Sequence, residues 1–429
     1  MGELLRVLLV GSSLPPFFPA NVHRIRQLSW SLRSIGWEPE ILAPGEVFQN
    51  VEWKDLKGEE LFPADVPRQA VEVSRQDWFR VAGIRGMGWR AWWPMACKGS
   101  ELLQSGRFQL VYFSTTQFNF FCLGPWWKKK FALPYILDFQ DPWYRPGQSI
   151  MTTNNWAKAN LGNQMAAILE CRAVSNADGL VSVSPNYLAM LEKRYPRAPA
   201  FQNKCISVIP FGYTETDFSN PIKTNLSRSV KEIVYVGVGS ELMAKSFRRI
   251  LMGLGSLAKK QPGILQKIRI RLYGTDGRWE PGRIKILQAL AEGLGFSGFV
   301  EEDPTILPYS RSLELMRQAD GLIVLGVEDP AYMPSKLFSY ARSGKPLLAS
   351  LVDGTQAKKY FQETPEIGHL ITFGKTGENT DEEDVVKAFV EEVIQGREIQ
   401  RPQVREKFSD QAISRQHAEI FEKCLRTKL

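Results

Sequence analysis

The chain has 429 residues, of which 44% are hydrophobic and 23% charged, proportions typical of a folded globular protein and not of a disordered or fibrous one. A single hydrophobic core rarely serves more than about 250–300 residues, so this length predicts two domains. The net charge of +8 favours an anionic partner. The basic residues are spread along the chain instead of gathered in an arm, which argues against nucleic acid.

The apolar segments are too short for a signal sequence or a membrane-spanning helix. The opening run, LLRVLLV, ends at Gly11, whereas a spanning helix needs roughly 18–20 apolar residues. The five cysteines are odd in number and far apart, and neither they nor the three histidines are spaced like metal ligands. We therefore predict a cytoplasmic protein with reduced thiols and no bound metal or cofactor, whose only membrane contact is peripheral, at the inner face.

The first half of the chain alternates between short apolar runs and segments of helical periodicity. LLRVLLV predicts a first strand, residues 22–35 predict a helix closed by Gly36, and WEPEILA predicts a second, parallel strand. A tryptophan-rich stretch from about 44 to 95 lacks periodicity. Strand patterns then return at FQLVYFS, LPYILDF, GLVSVS and CISVIPF, with helical segments between them. This order predicts a doubly wound parallel sheet.

A polar segment rich in turn formers, residues 216–231, predicts a linker between two domains. The first domain then covers residues 1–215 and the second residues 232–403, with a final helical segment at 404–429. EIVYVGV, KIRIRLYG, GLIVLGV and KPLLAS repeat the strand pattern of the first half in the second domain. We therefore predict an α/β protein with two Rossmann-like, doubly wound domains.

Ligands of open parallel sheets bind beyond the carboxyl ends of the strands. In the first domain this rule selects Gly11 and Ser12, which lack the G-x-G-x-x-G pattern of a dinucleotide site, and Arg24, a cation near the start of the first helix. It also selects Asp141, a candidate base, and Trp143, whose ring suits a sugar. Each has a structural alternative: a tight turn, a solvated helix face, or capping and packing of the loop.

In the second domain the loop VGVGSELMAKS follows the first strand. Gly237 and Gly239 permit close backbone approach to a phosphate, Ser240 follows them, and Lys245 supplies a positive charge. A lone lysine on a helix is more often solvated, which is the alternative for Lys245.

The strongest pattern is GLIVLGVEDPAYMPSKLFSYARSGKP. Pro334 predicts a helix start at which Ser335 and Lys336 present amides, a hydroxyl and an ammonium to an anion. Lys336 and Ser339 are three residues apart and share a helix face. Gly344 is placed to cap the helix before the next strand.

The order of these elements resembles the GT-B glycosyltransferases, and its details resemble glycosyltransferase family 4. The passages that carry the resemblance span nearly the whole chain: the helix from Arg24 to Gly36, YILDFQDPW, VIPFGYTETDF, YVGVGS and PSKLFSYARSGKPLLA. The resemblance implies two domains facing across a cleft, with the final helix crossing back to the first. It also implies a nucleotide-sugar donor held by the second domain and a glycan or lipid-linked acceptor held by the first.

The resemblance further implies catalytic roles without a metal. Lys245 and the Ser335–Lys336 turn would contact the donor diphosphate, so that Lys245, Lys336 and the candidate base Asp141 are the predicted catalytic residues. Two residues of this sequence differ from the family pattern. Ser339 occupies the place of a glutamate that often holds the ribose, and Ser240 lies near the place of a basic residue. Glu328, upstream in the same loop, is a candidate substitute for the missing carboxylate.

Three hypotheses of function follow. The first is sugar transfer to a hydroxyl acceptor during assembly of a surface polysaccharide or glycolipid. The second is a nucleotide-sugar 2-epimerase-like enzyme, and the third, motivated by the two departures, is a catalytically silent binding protein. For the clusters GWRAWWPMACK and GPWWKKKF the favoured interpretation is structural packing, and contact with an anionic membrane is the alternative.

Overall fold

The computed structural model divides the chain into two compact units, Met1–Phe211 with Asp410–Leu429 and Gly212–Ser409. Each unit contains one parallel sheet with helices packed on it. Of the predicted linker, residues 220–228 lie outside the described part of the chain. The described residues are 4–45, 54–73, 87–146, 156–219, 229–276, 284–374 and 382–427.

The first unit has a seven-stranded sheet in the order β3-β2-β1-β4-β5-β6-β7. Its strands are β1 (Leu5–Val10), β2 (Trp37–Pro44), β3 (Arg68–Val71), β4 (Leu110–Ser114), β5 (Tyr135–Phe139), β6 (Gly179–Ser182) and β7 (Ile206–Val208). Its helices are α1 (Val22–Ser31), α2 (Met87–Gln104), α3 (Leu123–Phe131), α4 (Trp156–Val174), α5 (Pro185–Arg194) and α6 (Pro199–Gln202).

The second unit has a six-stranded sheet in the order β10-β9-β8-β11-β12-β13. Its strands are β8 (Lys231–Val236), β9 (Ile268–Tyr273), β10 (Val300–Asp303), β11 (Gly321–Leu325), β12 (Leu347–Val352) and β13 (His369–Phe373). Its helices are α7 (Glu241–Lys260), α8 (Ile286–Gly293), α9 (Tyr309–Gln318), α10 (Leu337–Arg342), α11 (Gln356–Glu363), α12 (Glu382–Gln395) and α13 (Pro402–Phe408).

The two doubly wound domains predicted from the sequence are confirmed. All strand pairs are parallel, and every residue of β4, β5, β11 and β12 is buried, because helices cover both faces of a sheet of this kind. The strand order reverses between β1 and β4 in one sheet and between β8 and β11 in the other. Connections leave in opposite directions at these two switch points, which opens a crevice at the carboxyl ends of the strands.

Two predicted glycine caps are also present. The first helical segment tightens after α1 and ends at Gly36, which has a φ of 94°. Gly344 follows α10 with a φ of 76°. Side chains disfavour this left-handed region, so glycine is the residue that ends each helix at the least cost.

The last helix, α14 (Asp410–Arg426), belongs to the first unit and packs on α1, so the predicted return of the C-terminal helix is confirmed. Ile413, His417 and Phe421 are spaced four apart, form one face of the helix and are fully buried. The ring of Phe421 meets Trp37 edge-on at 5.2 Å.

Cys205 and Cys424 are joined by a disulfide in the first unit. The expectation of five reduced thiols is therefore wrong for these two residues. They are 219 positions apart in sequence and meet because α14 packs against β6, beside the residue that precedes β7. The spacing of the cysteines in the sequence does not predict this long-range contact.

The described residues of the tryptophan-rich stretch include regular elements that its lack of periodicity did not predict. It contains β3, which pairs with β2, and the beginning of α2, which continues to Gln104. The helix predicted at Pro334 begins three residues later, at Leu337, so Pro334, Ser335 and Lys336 form a turn before it.

Candidate functional site

The loop after β8 lies at the switch point of the second sheet. The Tyr235 hydroxyl donates to the Val238 carbonyl oxygen (2.6 Å), and the amides of Gly237 and Gly239 donate to the carbonyls of Tyr273 and Thr275 (2.9 and 2.8 Å). These bonds hold the two predicted glycines against the end of β9.

Gly239 is required by close packing. A Cβ at this position would lie 2.8 Å from Thr275 and 2.9 Å from Leu287, closer than side chains tolerate. The tight turn delivers the chain to Ser240, which precedes α7, and the Ser240 hydroxyl makes no capping bond in the described structure. A helix of 20 residues begins here, and the Met243 amide donates back to the Ser240 carbonyl (2.9 Å). The positive dipole end of such a helix is the usual environment of a bound phosphate.

Lys245 and Glu328 bring together the two loops that flank the switch point. The Lys245 ammonium, one turn into α7, lies 2.5 Å from the Glu328 carboxylate, which follows β11. Their side chains are 52% and 59% exposed, so both remain accessible to solvent. The sequence predicted both residues for the donor site, and the structure shows that they contact each other.

Lys336 lies directly before α10 and is half-buried. Within the described residues its ammonium has no carboxylate partner. Removal from water lowers the pKa of Lys336. A partly desolvated cation without a counter-ion favours the approach of an anionic ligand. Pro334 is buried beside it, and Ser335 and Ser339 are half-buried.

Two residues that the sequence analysis missed tie these elements together. The Tyr340 hydroxyl accepts from the Val236 amide (2.9 Å) and donates to the Val236 carbonyl (3.1 Å), which fixes α10 against the end of β8. Ser246 accepts from the Gly326 amide (3.1 Å) and donates to the Ser350 carbonyl (2.8 Å). Tyr340 lies one turn after Lys336, and Ser246 lies one residue after Lys245. This closeness to predicted site residues is the only sequence signal that indicates a role for them.

Arg24 in the first unit is fully buried. Its Nε donates to Asp138 (3.2 Å), Nη1 to the Pro210 carbonyl (2.7 Å) and Nη2 to the Ile209 carbonyl (2.6 Å). The guanidinium thus joins α1 to β5 and to the segment after β7. This position favours an anchoring role over contact with an acceptor.

Gly11 and Ser12 form the turn after β1. A Cβ on Gly11 would lie 2.6 Å from the Ile25 side chain, so the glycine lets α1 pack closely on the strand. Ser12 is buried. Both observations favour the structural alternative of a tight turn.

Asp141 and Trp143 lie in the loop after β5, where Asp141 is exposed and Trp143 half-buried. The Trp143 ring stacks on Phe118 at 5.7 Å with an interplanar angle of 15°. The loop is fixed from beneath by the buried Glu170 carboxylate, which accepts from the Tyr144 amide (2.9 Å). Burial raises the pKa of Glu170, and the charge of Arg194, 2.9 Å away, opposes that rise.

Solved structures share this fold over almost the whole chain. Anabaena HepE in complex with UDP-glucose has a TM-score of 0.60 at 15% identity, with 97% of this chain and 99% of that chain covered. WaaG, described as a glycosyltransferase of lipopolysaccharide biosynthesis, has a TM-score of 0.53 at 15% identity, with 98% and 99% covered. Pneumococcal GtfA, an O-GlcNAc transferase bound to UDP and GlcNAc, has a TM-score of 0.56 at 9% identity, with 99% and 100% covered.

These similarities confirm the predicted GT-B fold. No protein-family model matches the chain, and no curated protein sequence is significantly similar to it. At such low identities the structural likeness establishes the fold alone.

Proposed function

We propose that the protein is a glycosyltransferase that moves a sugar from a nucleoside-diphosphate-sugar donor to a hydroxyl acceptor. The observation that carries this proposal is the anion-attracting arrangement at the switch point of the second sheet: a glycine loop at the start of α7, with Lys245 and Lys336 on the flanking elements. Solved structures of the same fold support it, since HepE holds UDP-glucose and GtfA holds UDP.

In this proposal the donor diphosphate binds at the start of α7. The first amides of α7, the Ser240 hydroxyl and the ammonium of Lys245 contact its oxygens, while Lys336 supplies a second positive charge. Transfer breaks the bond between the sugar C1 and the diphosphate oxygen and forms a bond from C1 to the acceptor oxygen. The negative charge that develops on the departing diphosphate is stabilised by the two lysines and the helix dipole, so the reaction needs no metal ion or other cofactor.

Other predicted site residues, Glu328 in the second unit and Asp141 in the first, also have roles in this proposal. When the diphosphate binds Lys245, the Glu328 carboxylate loses its ion pair and is available to accept from a hydroxyl of the donor. Ser339 occupies the place of the family glutamate and has no carboxylate for this role. The acceptor, a glycan or a lipid-linked sugar, is assigned to the first unit, with Asp141 receiving the proton of its hydroxyl. Membership of glycosyltransferase family 4, a role in surface polysaccharide or glycolipid assembly, and a cytoplasmic location are parts of the same proposal.

A thermal-shift screen tests the proposal. The purified protein is heated with UDP-, GDP-, ADP- and dTDP-linked sugars, and we expect one nucleotide series to raise the melting temperature, since a ligand at 100 times its Kd stabilises by about 2.7 kcal/mol. The uridine series is the first to examine. A flat response to every series, together with no turnover, would instead support a silent binding protein.

Product analysis separates the two enzymatic hypotheses. Incubation of the bound donor with candidate acceptors should release free nucleoside diphosphate and lengthen the acceptor. A sugar nucleotide with an altered sugar and no release of nucleotide would identify an epimerase and contradict the transferase proposal.

A further inference from the structure

Two tryptophan clusters that are well separated in sequence meet on the surface of the first unit. Helix α2 carries Trp92 and Trp93, and helix α3 carries Trp126 and packs beside it. The rings of Trp92 and Trp126 stack at 6.1 Å, and those of Trp92 and Trp93 at 6.5 Å. The three indoles therefore form one continuous aromatic surface.

Trp92 and Trp126 are half-buried against the core of the first unit, but internal packing does not account for Trp93. Trp127, the neighbour of Trp126, is a tryptophan that packs inside the unit. It is buried, and its indole nitrogen donates to the Ser100 hydroxyl (3.2 Å). Trp93 is 63% exposed. An indole ring exposed to water on a helix is typical of a surface that another molecule covers.

Two positive charges border the aromatic surface. Lys128 is engaged by Asp178 (2.7 Å), but Lys129 and Lys130 are exposed and have no carboxylate partner among the described residues. The Lys130 ammonium lies 5.7 Å from the centre of the Trp126 ring. An exposed indole, with two half-buried ones beside it and lysines that have no carboxylate partner among the described residues, matches the boundary of an anionic bilayer. There indole rings lie at the level of the headgroups and lysines contact the anionic charge.

We propose that Trp92, Trp93, Trp126, Lys129 and Lys130, here called the Trp-Lys surface, dock the first unit on an anionic lipid bilayer. Trp93 enters the headgroup region, and Lys129 and Lys130 contact lipid phosphates. None of the described helices is long and apolar enough to span a bilayer, so this contact is peripheral. The inference stands on the geometry of α2 and α3 and does not depend on the proposed transferase activity.

The test is sedimentation of the full chain with vesicles of phosphatidylcholine alone or mixed with phosphatidylglycerol. We expect binding to the mixed vesicles only, weakened by salt. The double variant K129E/K130E should bind at least about 25-fold more weakly, since each lysine near an anionic surface contributes about fivefold. Trp93→Ala should also weaken binding while leaving the melting temperature unchanged.

The matched control is K259E/K260E, which reverses two exposed lysines at the end of α7 in the second unit. It changes the net charge of the chain by the same amount and should bind as the unaltered protein does. Equal loss in both double variants would show that net charge alone drives binding and would overturn the proposal. Binding that ignores phosphatidylglycerol, or no binding to either vesicle, would overturn it as well.

Discussion

Lys245 and Glu328 form an ion pair, 2.5 Å between Nζ and Oε1, across the switch point of the second sheet. An anion that binds at the start of α7 must therefore compete with a carboxylate of the protein for the same ammonium. The pair is more than half exposed, and exposed pairs contribute only about 0.2–1 kcal/mol. The ion pair is thus weak enough for a diphosphate to displace Glu328 from Lys245.

Glu328→Gln tests this competition. Removing the carboxylate charge should free Lys245 and tighten the binding of UDP by about two- to fivefold, the equivalent of an exposed ion pair. Isothermal titration with UDP and with the intact sugar nucleotide measures both affinities. Weaker binding of UDP in the variant would contradict the competition and show instead that the contact proposed between the Glu328 carboxylate and a donor hydroxyl outweighs it.

Lys336→Ala should weaken donor binding and slow transfer by roughly 10- to 100-fold, because a hydrogen bond to a charged group is worth about 1.5–3 kcal/mol. Lys359→Ala is the matched control, since Lys359 is an exposed lysine of the same unit that pairs with Glu363. It should leave both quantities unchanged. Equal kinetics in the Lys336 variant and the parent would remove Lys336 from the site.

The lowered pKa of Lys336 gives that site a pH dependence. The ammonium is charged below its pKa and neutral above it, so its contribution to phosphate binding is lost as pH rises. Because burial lowers the pKa, the loss should begin at a lower pH than an exposed lysine would set. UDP affinity measured against pH should fall on the alkaline side in the parent, and the fall should begin at a higher pH in the Lys336→Ala variant.

His417 should make the first unit less stable in acid. Burial, and secondarily the charge of Arg24, hold the pKa of His417 well below 6.5. The unfolded chain takes up a proton near pH 6.5 while the folded chain does not, so stability is lost as pH falls below that value, by up to about 1.4 kcal/mol per pH unit. His417→Gln should show a shallower loss in urea unfolding between about pH 7.5 and 5.5. Identical slopes would contradict the assignment.

The disulfide predicts a thiol count. Protein denatured without reductant should show three free thiols, those of Cys97, Cys122 and Cys171, and five after reduction. Cys424→Ser should lower the stability of the first unit by about 2–4 kcal/mol, whereas Cys97→Ser, an exposed free cysteine, should not. Five thiols in the unreduced protein would contradict the pairing.

The sequence carried enough information to predict the two sheets and the loops at the second switch point. Buried parallel strands are continuous apolar runs, and glycines such as Gly36 and Gly239 mark backbone conformations or close approaches that other residues resist. These signals are local, so one chain suffices to find them.

Other features depend on contacts between distant segments, which no local pattern encodes. Arg24 has the helical spacing of a solvated cation, and only the carbonyls of Ile209 and Pro210 show that it is buried. Tyr340 has nothing in its neighbourhood to indicate that its hydroxyl meets Val236. The Trp-Lys surface similarly required the packing of α2 on α3.

The first unit is made from two separate stretches of chain, with Gly212–Ser409 inserted between them. During translation most of the inserted unit leaves the ribosome before α14 is available to cover Trp37 and Tyr112. The nascent first unit therefore presents an uncovered apolar groove until the last helix arrives, the kind of surface that chaperones bind. A chain that stops short of α14 leaves the apolar side chains of Trp37 and Tyr112 exposed on that side.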